Sequence, residues 1–187
     1  MYEGLDTVVL YEELAYEDVL PVAWMPLRQE FDPVTLGSHA DRNLRVLQAL
    51  SALDEHGTIE KPDDNSPNAA DLLRLELKLN LLLDMVGALL VNSQSRPQAS
   101  PIRFNALGAI WHAAAPLPQP GQHGILEIHV RDCIAEPLRL PGRITAVAAD
   151  GRVKVRFIPP GEHIADLMEK LAFRKHRRQV AGARQRT

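Results

Sequence analysis

The side chains able to do chemistry in this chain of 187 residues are dispersed. Seven histidines stand at positions 39, 56, 112, 123, 129, 163 and 176, with no HxxxH or HExxH spacing and no cysteine partners. No metal site is therefore expected. His123 and His129 flank one strand-like run, too far apart to chelate together. Cys133, the single cysteine, follows that run and reads as an incidental thiol and not as a nucleophile. There is no GxSxG, no P-loop and no glycine cluster of the dinucleotide-binding kind. The paired acids Glu12-Glu13 and Asp63-Asp64 fall in polar segments, where a solvated carboxylate is the ordinary state. No catalytic residue is assigned, and the chain does not read as an enzyme.

The cations carry more information. A formal net charge of −3 conceals −7 over residues 1–35 and +7 over residues 170–187. Arg174, Lys175, Arg177 and Arg178 lie within about one helical turn and form a possible patch for an anion or an acidic partner. A solvated helix end is the plainer alternative. Nucleic acid is not an expected partner, because the rest of the chain is acidic and aromatic residues make up only 5%.

The elements that would position these groups follow from hydrophobic periodicity. Residues 1–35 are irregular, with β-prone runs at Thr7–Leu10 and Leu20–Trp24. From Leu36 to Gly57 the period changes. Ser38 with Asp41 resembles a capping box, Leu44, Leu47, Leu50 and Leu53 follow at helical spacing, and Gly57 is a stop signal. A polar connector with Ser66-Pro67 as N-cap and first helical residue leads to a second helix, Asn68 to about Ser93. There Leu72, Leu79 and Val86 recur every seven residues, and Leu75, Leu82 and Leu89 interleave, giving an a/d coiled-coil seam over three heptads. Further leucines widen the stripe beyond what a two-stranded coil would cover. A bundle of three or more helices fits better, with residues 36–56 as a companion layer. Arg74, Glu76, Lys78, Asn80 and Asp84 exclude a membrane helix.

Beyond Arg96-Pro97 the texture is that of strands: Ile102–Trp111, Gly124–Arg131, Leu138–Ala148 and Arg152–Phe157, the last two joined at Asp150-Gly151. Glu162–Arg178 reads as a closing amphipathic helix, followed by a basic tail over 179–187. The expected class is α+β. A small antiparallel barrel and closing helix occupy 96–178, and a helical insertion at 36–95 serves oligomerisation within one domain of 1–187.

The order FNALGAIW, GILEIHV, LRLPGRITAV, GRVKVRFIPP and a helix ending FRKHRRQ resembles a PilZ domain over about residues 100–178. With its leucine-heptad insertion, the whole chain resembles the atypical, tetramer-forming variety. That resemblance implies a six-stranded barrel with a C-terminal helix, to which Leu20–Trp24 could add a strand. It also implies a receptor module for bacterial cyclic di-GMP, of the kind found in motility and type IV pilus proteins. Ligand-binding members carry an early RxxxR and a later [D/N]xSxxG. The second maps onto Asn105 to Ile110, where Leu107 replaces serine and Ile110 replaces glycine. No two arginines before Asn105 are four apart. Arg139/Arg143, Arg152/Arg156 and Arg174/Arg178 all come after it. Asn105 and Arg103 are thus a remnant of a nucleotide site, and the usual cyclic di-GMP binding is expected to be lost. The functional expectation is a non-enzymatic signalling adaptor, a homotetramer with an unidentified signalling or pilus partner. A cyclic di-GMP receptor using non-standard arginines is the alternative.

Composition agrees with a folded domain, at 45% hydrophobic and 24% charged residues. One cysteine permits no intrachain disulfide. The acidic N-terminus lacks a signal-peptide pattern, and no apolar run reaches the ~18–20 residues of a membrane span. The expected location is the cytoplasm.

Overall fold

A computed structural model describes residues 14–28, 31–55, 69–93 and 95–184. Six strands, β1 (Tyr16–Pro26), β2 (Ala99–Phe104), β3 (Gly108–His112), β4 (His123–Ile128), β5 (Leu138–Val147) and β6 (Arg152–Phe157), form a closed antiparallel barrel in the order β1-β2-β3-β6-β5-β4. Three helices accompany them: α1 (Pro33–Glu55), α2 (Ala69–Ser93) and α3 (Glu162–Arg184).

β1 closes the barrel by changing partner midway. Tyr16 to Pro21 pair with β2, ending at Pro21↔Ala99, and Val22 to Pro26 pair with β4. Strict alternation fills the interior: Val153, Val155 and Phe157 of β6 point in, while Arg152, Lys154 and Arg156 face outward. Phe104, Leu126, Ile128, Leu138, Leu140 and Ile144 complete the buried core. Two glycines permit the tight closure. A Cβ on Gly124 would lie 2.4 Å from the Trp24 ring, and one on Gly142 would lie 2.6 Å from the Arg156 carbonyl oxygen.

The structure moves several expected boundaries. Ile102–Trp111 is not one strand but a hairpin, β2 and β3, folded back at Asn105. The Asn105 Oδ1 accepts the N–H groups of Leu107 (2.9 Å) and Gly108 (3.2 Å), so the side chain itself builds the turn. The Asp150-Gly151 turn forms as expected, with Gly151 at φ 85°. Leu20–Trp24 lies within β1, while Thr7–Leu10, Gly57 and Ser66-Pro67 fall outside the described residues.

α1 begins earlier than expected, at Pro33. Asp32 is its true cap: Oδ1 accepts the Thr35 N–H at 2.9 Å and Oδ2 the Thr35 hydroxyl at 2.5 Å. Pro33 occupies the first helical position, where its missing N–H costs nothing. Ser38 and Asp41 therefore lie inside the helix and cap nothing. α3 runs on to Arg184, past the expected end at Arg178, because Gln179, Val180 and Ala181 contain no breaker. Its Ile164, Met168, Leu171 and Ala172 are buried at spacings of four, three and one.

α1 packs on α3 and β5, with Val46, Leu47 and Leu50 buried. Asn43 locks the contact. Its Nδ2–H donates to the Arg139 carbonyl (2.8 Å), and its Oδ1 accepts the Arg139 N–H (2.7 Å). β6 ends opposite Gly142, so Arg139 has no strand neighbour on that side, and Asn43 takes its place. α1's buried apolar face is thus spent on its own barrel and on α3 within the protomer.

Candidate functional site

α2 is the element the protomer leaves open. The six seam residues Leu72, Leu75, Leu79, Leu82, Val86 and Leu89 are all between 43% and 67% exposed. Leu77, Leu81 and Met85 beside them are also exposed. Among the described residues, the side of α2 turned inward is a stripe beside the seam near the C-terminal end, where Gly87 is buried and Leu83 and Leu90 are half-buried. A Cβ on Gly87 would come within 3.4 Å of Asp132 and Cys133. Just beyond the helix, Arg96 donates to the Asp132 carboxylate (2.7 Å) and carbonyl (2.9 Å), with its side chain only 7% exposed. α2 is therefore anchored at one end and carries its apolar surface outward along the rest.

The second candidate is the outer barrel face around the β2–β3 hairpin. Asn105 is buried and committed to the turn, leaving its Nδ2 without a protein partner. Arg103, its neighbour on β2, donates to Glu17 of β1 at 2.6 Å across a registered pair. Ile110 lies next in that row, paired to Arg103 on one side and Lys154 on the other. Its branched side chain covers the sheet where a glycine would leave room, and Leu107 projects from the turn. Sequence reasoning recognised the alternating cations of β6 but could not place their neighbour. The register sets Arg143 of β5 directly opposite Arg156, with His123 of β4 beyond it. Only strand pairing brings these together.

The four cations of α3 are divided among different tasks. Arg174 donates to Ser51 of α1 at 2.9 Å. Lys175 pairs with Asp18 of β1 and lies 5.3 Å from the centre of the Tyr16 ring. Arg177 stacks over Phe173 at 6.0 Å. Arg178 lines a small cleft of about 280 Å³ with Lys175 and Arg131. Arg174 and Lys175 thus help to hold the closing helix, while Arg177 and Arg178 are exposed. Among the described residues no group of three or more His, Cys, Asp or Glu could hold a metal ion, and no helix is long and apolar enough to cross a membrane.

A closed six-stranded antiparallel barrel with a C-terminal helix and an outlying leucine-rich helix defines the class of the molecule, and sequence comparison assigns the family. A family profile described as "Atypical PilZ domain, cyclic di-GMP receptor" matches residues 47–185. The chain belongs to this atypical PilZ family, whose members are described as cyclic di-GMP receptors. Among solved structures it is similar to a pathogenic protein from Xanthomonas campestris, with 25% identity, a TM-score of 0.64 and 90% of each chain covered. That protein is described as a tetrameric PilZ domain self-assembled through an unusual helical bundle. No curated protein matches the chain.

Proposed function

We propose that this chain is a non-enzymatic adaptor of the cyclic di-GMP network, assembled through α2 into a homotetramer. It would act in the cytoplasm in motility, type IV pilus or virulence signalling. One observation carries the reading: a helix of three heptads holds its whole leucine seam in water within the protomer. Apolar surface of that extent in a soluble protein marks an interface. The stripe is wider than a two-stranded seam, which favours four helices over two. The bundle described for the Xanthomonas protein supports the same arrangement. As an adaptor, the chain would dispense with the usual nucleotide mode, in keeping with Leu107 and Ile110 at the degraded motif and with Asn105 spent on its turn.

Size-exclusion chromatography with light scattering tests the assembly. A tetramer is expected at micromolar concentration, and a strict monomer would overturn the reading. A second reading, a receptor using non-standard arginines, draws on the registered Arg143–Arg156 pair, with Lys154 two residues along β6 and Arg103 two strands beyond in the Lys154 row. Calorimetry with cyclic di-GMP separates the two. The adaptor reading expects no saturable heat, whereas binding abolished by Arg103→Ala or Arg143→Ala would establish the receptor.

A further inference from the structure

A cleft of about 710 Å³ lies at the junction of the barrel and the segment leaving α2. It opens where β1 changes partner. In the second half of β1, the His129 N–H donates to the Pro21 carbonyl (3.1 Å) and the Leu27 N–H to the His123 carbonyl (2.9 Å). Odd-numbered residues here thus direct their backbone groups at β4. By antiparallel alternation, the N–H and C=O of Trp24 and the C=O of Pro26 face the other way, into the cleft. β2 does not meet them there. Its ladder with β1 ends at Pro21↔Ala99. A short length of strand edge is left unpaired in an otherwise closed barrel.

The walls around that edge are mostly apolar, with Gln98, Ser100, His112 and Gln122 as their polar members. Trp24 and Trp111, ring centres 6.2 Å apart, meet the proline-rich β3–β4 loop, where Pro116 and Leu117 overhang. No Asp, Glu, Lys or Arg lines the cleft among the described residues, although such residues make up 24% of the chain. An ionised side chain entering it would lose hydration and gain no counter-charge. A ligand with backbone donors and acceptors at strand spacing would complete the edge, and uncharged side chains would suit the walls.

We infer that this cleft takes an extended, uncharged peptide segment of a partner protein, added as a strand along Trp24–Pro26. Strand addition of this kind draws affinity from main-chain hydrogen bonds and specificity from the pockets flanking the edge. The inference rests on the adaptor reading, for which it supplies the chemistry of the partner. Bound there, a peptide would touch both the barrel and the 97–101 segment that tethers α2.

Both tryptophans of the chain line the cleft, so fluorescence excited selectively at tryptophan reports on it. A random heptapeptide library displayed on phage, panned against the intact chain, supplies the probe. Enriched peptides, synthesised with capped ends, are titrated by tryptophan fluorescence. We expect sequences poor in charge and saturable binding. N-methylation of alternate peptide amides, or the substitution Leu117→Glu on the exposed loop, should weaken binding at least tenfold. Amide exchange supplies a second readout. The Trp24 N–H should exchange faster than those of Ala23 and Met25 in the free chain, and slow when peptide is bound. Failure of the library to enrich any peptide would overturn the inference. So would enrichment of charged peptides, indifference to N-methylation, or a Trp24 amide already protected in the free chain. A change of oligomeric state in Leu117→Glu would also overturn it, since a second copy would then be the occupant. The assembly reading fails separately. A monomeric chain that binds peptide removes the tetramer and leaves the cleft, while a tetramer indifferent to peptide does the reverse.

Discussion

α1 and α2 are both long, leucine-bearing helices between β1 and β2, and they spend those leucines in opposite ways. On α1, Val46, Leu47 and Leu50 are inside the protomer, and Asn43 bonds to the bare backbone of β5. On α2 every seam residue is exposed in the protomer, and among the described residues the stripe through Leu83, Gly87 and Leu90 turns toward the barrel. Helical periodicity alone does not distinguish a helix that finishes its own domain from one that awaits another chain. The width of the stripe does. α1 buries one face against α3 and β5 of its own protomer, whereas α2 carries exposed apolar residues around much of its circumference and needs several neighbours.

The sharpest way to break this comparison is to charge the two helices in turn. Leu79→Glu with Leu82→Glu would place carboxylates in every copy of a buried seam, at a cost of several kcal/mol per unpaired charge. We expect complete loss of the oligomer in light scattering. The thermal transition of the barrel should remain, because neither side chain packs on it in the protomer. Loss of folding together with loss of assembly would show that the barrel depends on the bundle. On α1, Leu50→Ala should have the reverse signature: destabilisation of about 2–5 kcal/mol in denaturant titrations with the oligomer preserved below the transition. An unstable monomer from Leu50→Ala would mean that α1 also serves assembly.

Much of this contrast was legible from residue types. The helix under the heptads from Leu72 to Leu89, the alternation in Arg152–Phe157 and the Asp150-Gly151 turn each carry a local signal, and each is present in the fold. What escaped depends on partners distant in sequence. The hairpin at Asn105 was missed because Ile102–Phe104 and Ala109–Trp111 are both β-prone, while the intervening turn is made by one side chain and not by Pro or Asn-Gly. The cap at Asp32 lies in a stretch that reads as irregular because its apolar residues show no helical period, and the first periodic leucines draw the helix start toward Ser38. The candidate anion residues Arg174 and Lys175 acquire their roles from Ser51 and Asp18, more than a hundred positions away in each case. Similarly, the Arg143–Arg156 pair and the open edge at Trp24 exist only once strand register is set. Asn43 shows the same limit: in sequence it is an unremarked polar residue in a helix, in space it completes a sheet.

Asn43 offers the next test by size of effect. Replacing it with alanine removes both bonds to Arg139 and leaves a backbone N–H and C=O unsatisfied at the α1–β5 contact. The expected loss is about 1–3 kcal/mol. Asn43→Asp should fare no better, because a carboxylate can accept from the Arg139 N–H but cannot donate to its carbonyl. Equal stability of Asn43→Ala and the parent chain would show that α1 is held by its apolar face alone. In either case the oligomer should be unaffected, which separates this defect from any change in α2.

The smallest expected effect concerns pH and asks which helix contact weakens first in acid. His39 on α1 and His129 beneath the anchored end of α2 are both held below the ordinary histidine pKa of 6.5. Burial is the main cause for each, reinforced by Arg139 and Arg42 at His39 and by Arg96 at His129. Each ring leaves a buried Nδ1 without a protein partner, so neither neutral form is replaced easily by the cation. For such a group the unfolded chain takes up the proton more readily than the folded one. Stability is therefore full above about pH 6.5 and declines as pH falls below it. Asp32 and Asp150 are held below 3.8, chiefly by bonds from Thr35 and Arg152, and lose their contribution only in much stronger acid. The histidine decline therefore begins at a higher pH than the carboxylate one. Unfolding midpoints measured between pH 7.5 and 5 for His39→Asn and His129→Asn should each show a shallower acid decline than the parent chain. If only His129→Asn flattens it, acid first loosens the anchor formed by Arg96 and Asp132, and with it the hold of the barrel on α2. If only His39→Asn does, the titrating contact is that of α1 with its own barrel, and the base of α2 is indifferent to protons.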